Sequence, residues 1–308
     1  MFTPGEVGWF VWSGGGINGY AHIGVWRFLE EVWMANGLSL TKSVKGTAGT
    51  SIGAIVALAL ALGFTSHELE AFATTALEGE AGVAKINLRG LIDGTAHGLI
   101  SHRIISDFVK RMLDLKTGQP ELTFGELKDH CAVEYVCTAH NITELRSEYF
   151  GTEHTPDVPV WVGVTMSCLL PILFDSMKLN NCEYYDGGLS NSMPIEVFPL
   201  QHTVASQILR KPGGKITSML GRFSRITESC ETATKEKVER IGHELAALIK
   251  VFVPVSTSEH VITTGELRVN SLHKEQLLTI GRDAAVQTLS PDLWVIVRAL
   301  QTILRPEQ

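Results

Sequence analysis

The sequence predicts an α/β fold, a three-layer sandwich with a mainly parallel central sheet between helices. Three observations predict it. An apolar run ends in glycines and opens a helical pattern, the same strand, glycine turn and helix recur at once, and short strands alternate with helices further on. Successive units of this kind set parallel strands side by side, with their helices on the sheet faces.

Residues 7–12 (VGWFVW) are apolar and read as a buried strand. From Asn18 onward Ile23, Trp26, Phe28, Leu29, Val32 and Trp33 recur at helical spacing until Asn36-Gly37, a helix stop. Residues 43–48 read as a second strand, 49–53 as a turn, and 52–62 as a helix closed by Gly63. Residues 65–130 read as mostly helical, including 104–115 and a short helix after Thr123. Residues 133–139 and 147–151 read as strands, 160–170 as a helix ended by Pro171, and 179–185 as a strand running into Asp186. Beyond about residue 208 the pattern weakens to helices near 231–251 and 273–289 and a strand near 260–264. No internal repeat, low-complexity tract or linker divides the chain. Residues 1–308 read as one domain, with its core motifs at 8–199 and a C-terminal part at 200–308.

Hydrophobic residues make up 44% and charged residues 19%, the balance of a globular protein rather than a disordered one. A net charge of −7 argues against nucleic acid as a partner. Five cysteines without a C-x-x-C pair read as reduced core residues of a cytoplasmic protein, with no zinc site. The N-terminus lacks the basic start and apolar core of a signal peptide. The most apolar run, 52–64, is shorter than the roughly 20 residues that span a bilayer. The expectation is a soluble protein, at most peripheral to a membrane.

The chemistry concentrates in three turns. Gly14-Gly15-Gly16 offers backbone N–H donors at the end of the first strand, Gly49-Thr50-Ser51-Ile52-Gly53 places a serine between strand and helix, and Asp186-Gly187-Gly188 sets a carboxylate after a strand. An oxyanion hole, a nucleophile and a base are what acyl transfer by serine requires. Both glycine turns lie beyond the carboxyl ends of parallel strands, where such sheets bind ligands.

A G-x-S-x-G pattern alone is weak, and Ser51 would also serve as an ordinary helix N-cap. The strand before it and helix after it are the setting of a nucleophile elbow. The Ile52 N–H and the helix N-terminus favour negative charge developing beside Ser51. Gly14 to Gly19 also satisfies G-x-G-x-x-G, so a dinucleotide-binding oxidoreductase is an alternative. That fingerprint wants an acid at the end of the second strand, where this chain carries Thr47-Ala48-Gly49-Thr50-Ser51.

The base stays open on the residues alone. Ser51, then Asp186, then one of His202, His243, His260 or His273 is the chain order of an α/β-hydrolase. That fold needs several strands ahead of its elbow, and the 50 residues before Ser51 hold two. None of these histidines follows a clear strand beside a glycine turn, as Asp186 does. His22 reads as packed or hydrogen-bonded within the first helix, Cys168 as core, and Asp186 has the plain alternative of a turn residue.

The motifs resemble the patatin-like phospholipases. Gly14-Gly15-Gly16 with Gly19, His22 and Gly24, then Gly49-Thr50-Ser51-Ile52-Gly53-Ala54, then Asp186-Gly187-Gly188 with Asn191 and Pro194 carry the resemblance, joined by 167–174 with Pro171. It is strong over 8–64 and 132–199 and looser elsewhere, with 267–287 similar to the family's final helix. It implies a patatin-like fold and a Ser–Asp dyad without histidine. Ser51 attacks an ester carbonyl and Asp186, made a stronger base by burial, takes the hydroxyl proton. The N–H groups of Gly14, Gly15, Gly16 and Ile52 hold the oxyanion, and Gly19, Gly49, Gly53, Gly187 and Gly188 shape the turns.

The resemblance further implies a phospholipase A-type acyl hydrolase, calcium-independent, with no cofactor and no metal. Its partner is a lipid substrate, a glycerophospholipid or acylglycerol, met at a membrane or lipid-droplet surface. A catalytically weak lipid-binding protein of the same family is the alternative. Asn18 departs from the Arg or Lys the family often carries there, which is expected to weaken activity or alter headgroup preference. Over 210–225 five basic residues (Arg210, Lys211, Lys215, Arg222, Arg225) occur without an acid, while Ile216, Met219, Leu220, Phe223 and Ile226 keep helical spacing. A helix near 215–226 with one basic and one apolar face suits an anionic lipid interface. An ordinary surface helix packed on the core is an equal reading of those residues.

Overall fold

Alternation sets the first strand, β1 (Trp9–Trp12). Phe10 and Trp12 point into one apolar cluster and Val11 into another, so the strand divides the molecule into two layers of core. The computed structural model describes residues 3–76, 98–210, 229–230, 232–253 and 269–292. After β1 a 3-10 turn, Gly16–Gly19, leads into α1 (Tyr20–Ala35), which buries Val25, Trp26, Leu29 and Trp33. A single turn, α2 (Leu40–Ser43), precedes β2 (Gly46–Thr50), which is buried throughout. Then α3 (Ile52–Ala61) is apolar on all sides, as a helix enclosed by the core must be.

The chain continues through α4 (Ser66–Ala76), β3 (Gly98–Ile100) and α5 (Arg103–Thr117). Next comes α6 (Phe124–Cys131), started by a Thr123–Glu126 capping box. The strands β4 (Glu134–Asn141) and β5 (Arg146–Gly151) lead to α7 (Val160–Ser167). Three short strands follow, β6 (Ile172–Phe174), β7 (Met177–Leu179) and β8 (Cys182–Asp186). The C-terminal part supplies β9 (Thr203–Arg210), α8 (Thr232–Ile241), β10 (Ala247–Val253) and α9 (Ser271–Leu289).

Among the described residues, eight strands form one sheet in the order β10-β9-β1-β2-β4-β8-β7, with β5 paired to β4 off that path. The run from β10 to β4 is parallel, and β5, β7 and β8 add antiparallel pairs. One face is covered by α1, α3, α4, α5 and α9, whose apolar residues join Phe10, Trp12 and Ile249. The other is covered by Met193, Ile195, Phe198 and Val238 of α8, packed on Val11, Ala48 and Ala205. These are the three layers the alternating pattern predicts. No helix among the described residues is long and apolar enough to cross a membrane.

Register along β4 decides where the motifs meet. β5 pairs with β4 from Val136 to Asn141 and so takes one edge of it. β2 and β8 share the other edge: β2 ends with Thr50 opposite Thr138, and β8 ends with Asp186 opposite Ala139. The two strands run in opposite directions, and their C-terminal ends meet head-on at neighbouring positions of β4.

Several elements differ from the sequence reading. The stretch 179–185 is a hairpin, β7 and β8, turned by Asn180 and Asn181 at φ 50° and 63°. Two consecutive positive φ values are the signature of the tight turn whose twist matches paired strands, and Asn tolerates them. The helix expected over 231–251 stops at Ile241, a 3-10 turn at Gly242–Glu244 follows, and 247–253 is β10, alternating between buried and solvent-facing residues. The helix expected over 160–170 ends at Ser167. β3 lies in the stretch read as helical, and β9 was missing from the reading. Of the cysteines read as core, Cys230 is exposed. The strand expected at 260–264 and the basic amphipathic helix near 215–226 lie outside the described residues.

Candidate active site

Ser51 joins β2 to α3 at φ 57° and ψ −130°, a conformation that costs a residue with a Cβ about 1–3 kcal/mol. The surroundings hold it there. Its N–H donates to Ser167 Oγ at 2.9 Å, and its carbonyl accepts from the Ala54 N–H at 2.9 Å. A Cβ on Gly49 would lie 2.2 Å from the Gly53 carbonyl oxygen, so strand and helix approach as closely as two glycines allow. The Ser51 side chain makes no capping bond to α3, so the N-cap reading does not account for this residue.

Asp186 ends β8 almost wholly buried, at 1% exposure. Its Oδ1 accepts from the Gly188 N–H at 2.7 Å, and its own N–H donates to the Leu169 carbonyl at 2.9 Å. Burial, and then the charges of Asp186 and Cys137, push the Cys168 thiol well above its usual range. The turn after Asp186 is tied to the strand carrying Ser51. Thr50 and Thr138 share a 2.7 Å hydroxyl–hydroxyl hydrogen bond and lie 2.9 and 3.2 Å from the Asn191 carbonyl, which accepts the proton that the pair does not share. One buried acceptor thus serves the residue before the serine and the strand between the two turns.

The glycine run closes the site. A Cβ on Gly14 would lie 3.6 Å from the Ser51 Cβ, so the loop abuts the serine. The Gly14 N–H donates to the Ser192 carbonyl at 2.9 Å. That bond engages one of the four expected oxyanion donors, so Gly14 anchors the loop, and Gly15, Gly16 and Ile52 remain as candidates. Gly16 sits at φ 57°, and no described residue comes within 4 Å of where a Cβ would be.

Asn18 is buried, and its side-chain and backbone N–H groups both donate to the Gly15 carbonyl, at 3.1 and 3.2 Å. It stiffens the loop from behind. His22 is fully buried and reaches out of α1, contrary to the expectation of bonds within that helix: Nε2 lies 2.9 Å from the Ser13 carbonyl and Nδ1 2.9 Å from Ser206 Oγ. A carbonyl only accepts, so Nε2 carries the proton and Nδ1 accepts from the serine. Burial lowers the pKa of His22 to about 4, against the opposing pull of the Ser13 carbonyl, so the ring is neutral at pH 7.

His202 and His243, two of the histidines that chain order offered as a base, lie at the opposite end of the sheet. His202 precedes β9, and Thr203 and Gly46 both pair with Trp9, at the starts of their strands. Ser51 lies five residues beyond Gly46, about 16 Å along the sheet. His243 precedes β10 at that same far end, since Ala247 pairs with Val204. His273 lies in the first turn of α9, and His260 lies outside the described residues.

Sequence reasoning missed Ser167, Thr138, Ser192, Thr234 and Lys237. Thr234 Oγ1 accepts from the Ser192 N–H at 3.0 Å, and Lys237 Nζ donates to Asn191 Oδ1 at 2.6 Å. Ser192 acts through its backbone and the other four through a polar side chain, each toward a partner some forty or more residues away, and no local pattern announces it.

The model of the patatin-like phospholipases matches residues 10–199, a span that contains all three turns. The chain belongs to the patatin-like phospholipase family. Among curated relatives, the probable lipid hydrolase 463L of Invertebrate iridescent virus 6 is 29% identical over 191 residues, which is 61% of either chain. The uncharacterized protein YqhO of Bacillus subtilis (strain 168) is 26% identical over 254 residues, 72% of this chain and 80% of that one. Among solved structures, VipD from Legionella pneumophila superposes with a TM-score of 0.55 at 15% identity, over 92% of this chain and 66% of VipD. The chain therefore spans about three fifths of the viral relative and two thirds of VipD, and the likeness to VipD is one of fold.

Proposed function

We propose that this chain is a lipid acyl hydrolase of phospholipase A type that works through an acyl-Ser51 intermediate with Asp186 as its base. The observation that carries the reading is the head-on meeting of β2 and β8 on one edge of β4, which sets the turns of Ser51 and Asp186 at adjoining positions. As Ser51 Oγ attacks the ester carbonyl, its proton passes to the Asp186 carboxylate, and the tetrahedral oxyanion takes hydrogen bonds from the Gly15, Gly16 and Ile52 N–H groups. Asp186 returns the proton to the departing alcohol oxygen. Water then attacks the acyl-serine with Asp186 again as base, releasing the fatty acid and restoring Ser51. Each lost oxyanion donor would cost about 3 kcal/mol of transition-state stabilisation.

The substrates of this reading are acyl esters of glycerophospholipids or acylglycerols, met at a membrane or lipid-droplet surface by a peripheral, cytoplasmic protein of one domain. Backbone donors stabilise the charge, so activity should survive calcium chelation. The family's pattern accounts for Gly14 to Gly19 and for Ser51 together, which a dinucleotide cradle does not. The test is incubation with mixed phosphatidylcholine and phosphatidylglycerol vesicles, following free fatty acid and lysophospholipid. Wild type should release both, and Ser51→Ala and Asp186→Asn should lose about three orders of magnitude or more. Vesicle binding without turnover, unchanged in Ser51→Ala, would replace this reading with that of a lipid-binding protein.

A further inference from the structure

The family match ends at residue 199, yet α8, more than thirty residues beyond, grips the joint between the two catalytic turns. We propose that Thr234 and Lys237 of α8 are positioning residues for the Ser51–Asp186 pair, acting through Ser192 and Asn191. The proposal rests on the reading of Ser51 and Asp186 given above.

Thr234 and Lys237 are three residues apart and so share one face of the helix. Thr234 Oγ1 accepts the Ser192 N–H at 3.0 Å, and the Ser192 carbonyl accepts the Gly14 N–H at 2.9 Å. Lys237 Nζ donates to Asn191 Oδ1 at 2.6 Å, and the Asn191 carbonyl accepts from the hydrogen-bonded Thr50–Thr138 hydroxyl pair. Two consecutive residues after the Asp-Gly-Gly turn are thus held by α8 on one side and by the glycine loop and the nucleophile strand on the other.

The grip on Asn191 has one orientation. Its Nδ2 donates to Glu196 Oε1 at 2.7 Å and to the Tyr149 hydroxyl at 3.1 Å, while Lys237, which can only donate, faces Oδ1. An amide flip would set Nδ2 against the ammonium. Glu196 balances Lys237 at 2.7 Å and accepts the Tyr149 hydroxyl at 2.5 Å, and most of the Lys237 side chain is shielded from water. The Asn191 N–H closes the arrangement on the Gly187 carbonyl at 2.8 Å, within the Asp186 turn itself. A movement of α8 would therefore shift the Asn191 and Ser192 carbonyls, and with them the separation of serine, carboxylate and oxyanion donors.

Thr234→Val keeps the shape of the side chain and removes the acceptor, Thr234→Ser keeps the hydroxyl, and Lys237→Met removes the ammonium. For each, kcat and KM on p-nitrophenyl butyrate and the rate of fluorophosphonate labelling are measured on folded protein, with thermal unfolding as the control. The expected result is a fall of about tenfold or more in kcat and labelling rate for Thr234→Val and Lys237→Met, since small misplacements of reacting groups are costly in rate. KM should be unchanged, and Thr234→Ser should stay within about twofold of wild type, as a misplaced pair rather than a lost contact to substrate predicts. Ser51-dependent labelling at the wild-type rate in both variants overturns the proposal and leaves the catalytic reading intact. A folded wild type that does not label overturns both. If Lys237→Met does not fold, the Thr234 pair decides alone: equal rates for Val and Ser overturn the proposal.

Discussion

At φ 57° and ψ −130°, Ser51 occupies backbone space that suits glycine. Ser51→Gly should therefore raise stability while removing the proposed nucleophile. The released strain, less the extra freedom of glycine in the unfolded chain, leaves a gain on the order of 1 kcal/mol. Thermal unfolding should rise by about 2 °C relative to Ser51→Ala, and a glycine variant no more stable than the alanine one would show the turn to be unstrained. His22 makes a second prediction. Its pKa is about 4 in the fold against 6.5 in an unfolded chain, so the unfolded state binds more protons between those values. The stabilisation is complete above pH 6.5 and is lost as pH falls toward 4, up to roughly 3 kcal/mol. Urea unfolding of wild type should weaken over that window more steeply than that of His22→Gln, and parallel slopes would contradict the assignment. At this scale the turns at Gly14-Gly15-Gly16, Ser51 and Asp186 were legible as turns at strand ends, because glycines mark the close approaches and positive φ values there. Ser167, Thr138 and Thr234 were not, because a hydroxyl that bonds across the fold looks the same in sequence as one that faces water.

Elements were legible where periodicity ran long. The helices over 20–35, 52–61 and 103–117 and the strand at 134–141 lie within a few residues of their expected bounds. The failures were short strands. β10 was hidden because an apolar run after a helix reads as more helix, and its two-residue alternation becomes decisive only once Gly242 is seen to end α8. The β7–β8 hairpin was hidden because Asn-Asn is a weaker turn signal than Asn-Gly. That turn sets the register of β7 against β8, the strand that ends in Asp186. Asn181, at φ 63°, should accept glycine without loss, whereas Asn181→Val should cost about 1–2 kcal/mol. Chemical denaturation of the two variants measures the difference, and equal stabilities would mean the turn does not require a left-handed residue.

Over the whole molecule the sheet is completed from both ends of the chain. β9 pairs directly with β1, α9 packs on α1, and α8 reaches the joint behind the candidate site, so the residues after 199 finish the structure that the family motifs begin. At the contact of α1 and α9, a Cβ on Gly281 would fall 1.9 Å from the Ala21 carbonyl oxygen, which leaves those helices no other spacing. This enclosure lets a strained serine and a buried carboxylate persist at the meeting point of two opposed strands. The account stands on the claim that this meeting activates Ser51. Mass spectrometry of the folded chain after fluorophosphonate treatment tests it most directly. The account predicts one adduct, mapped to the peptide carrying Ser51, absent in Ser51→Ala and formed far more slowly in Asp186→Asn. An adduct on another serine, or labelling of Asp186→Asn at the wild-type rate, would contradict it.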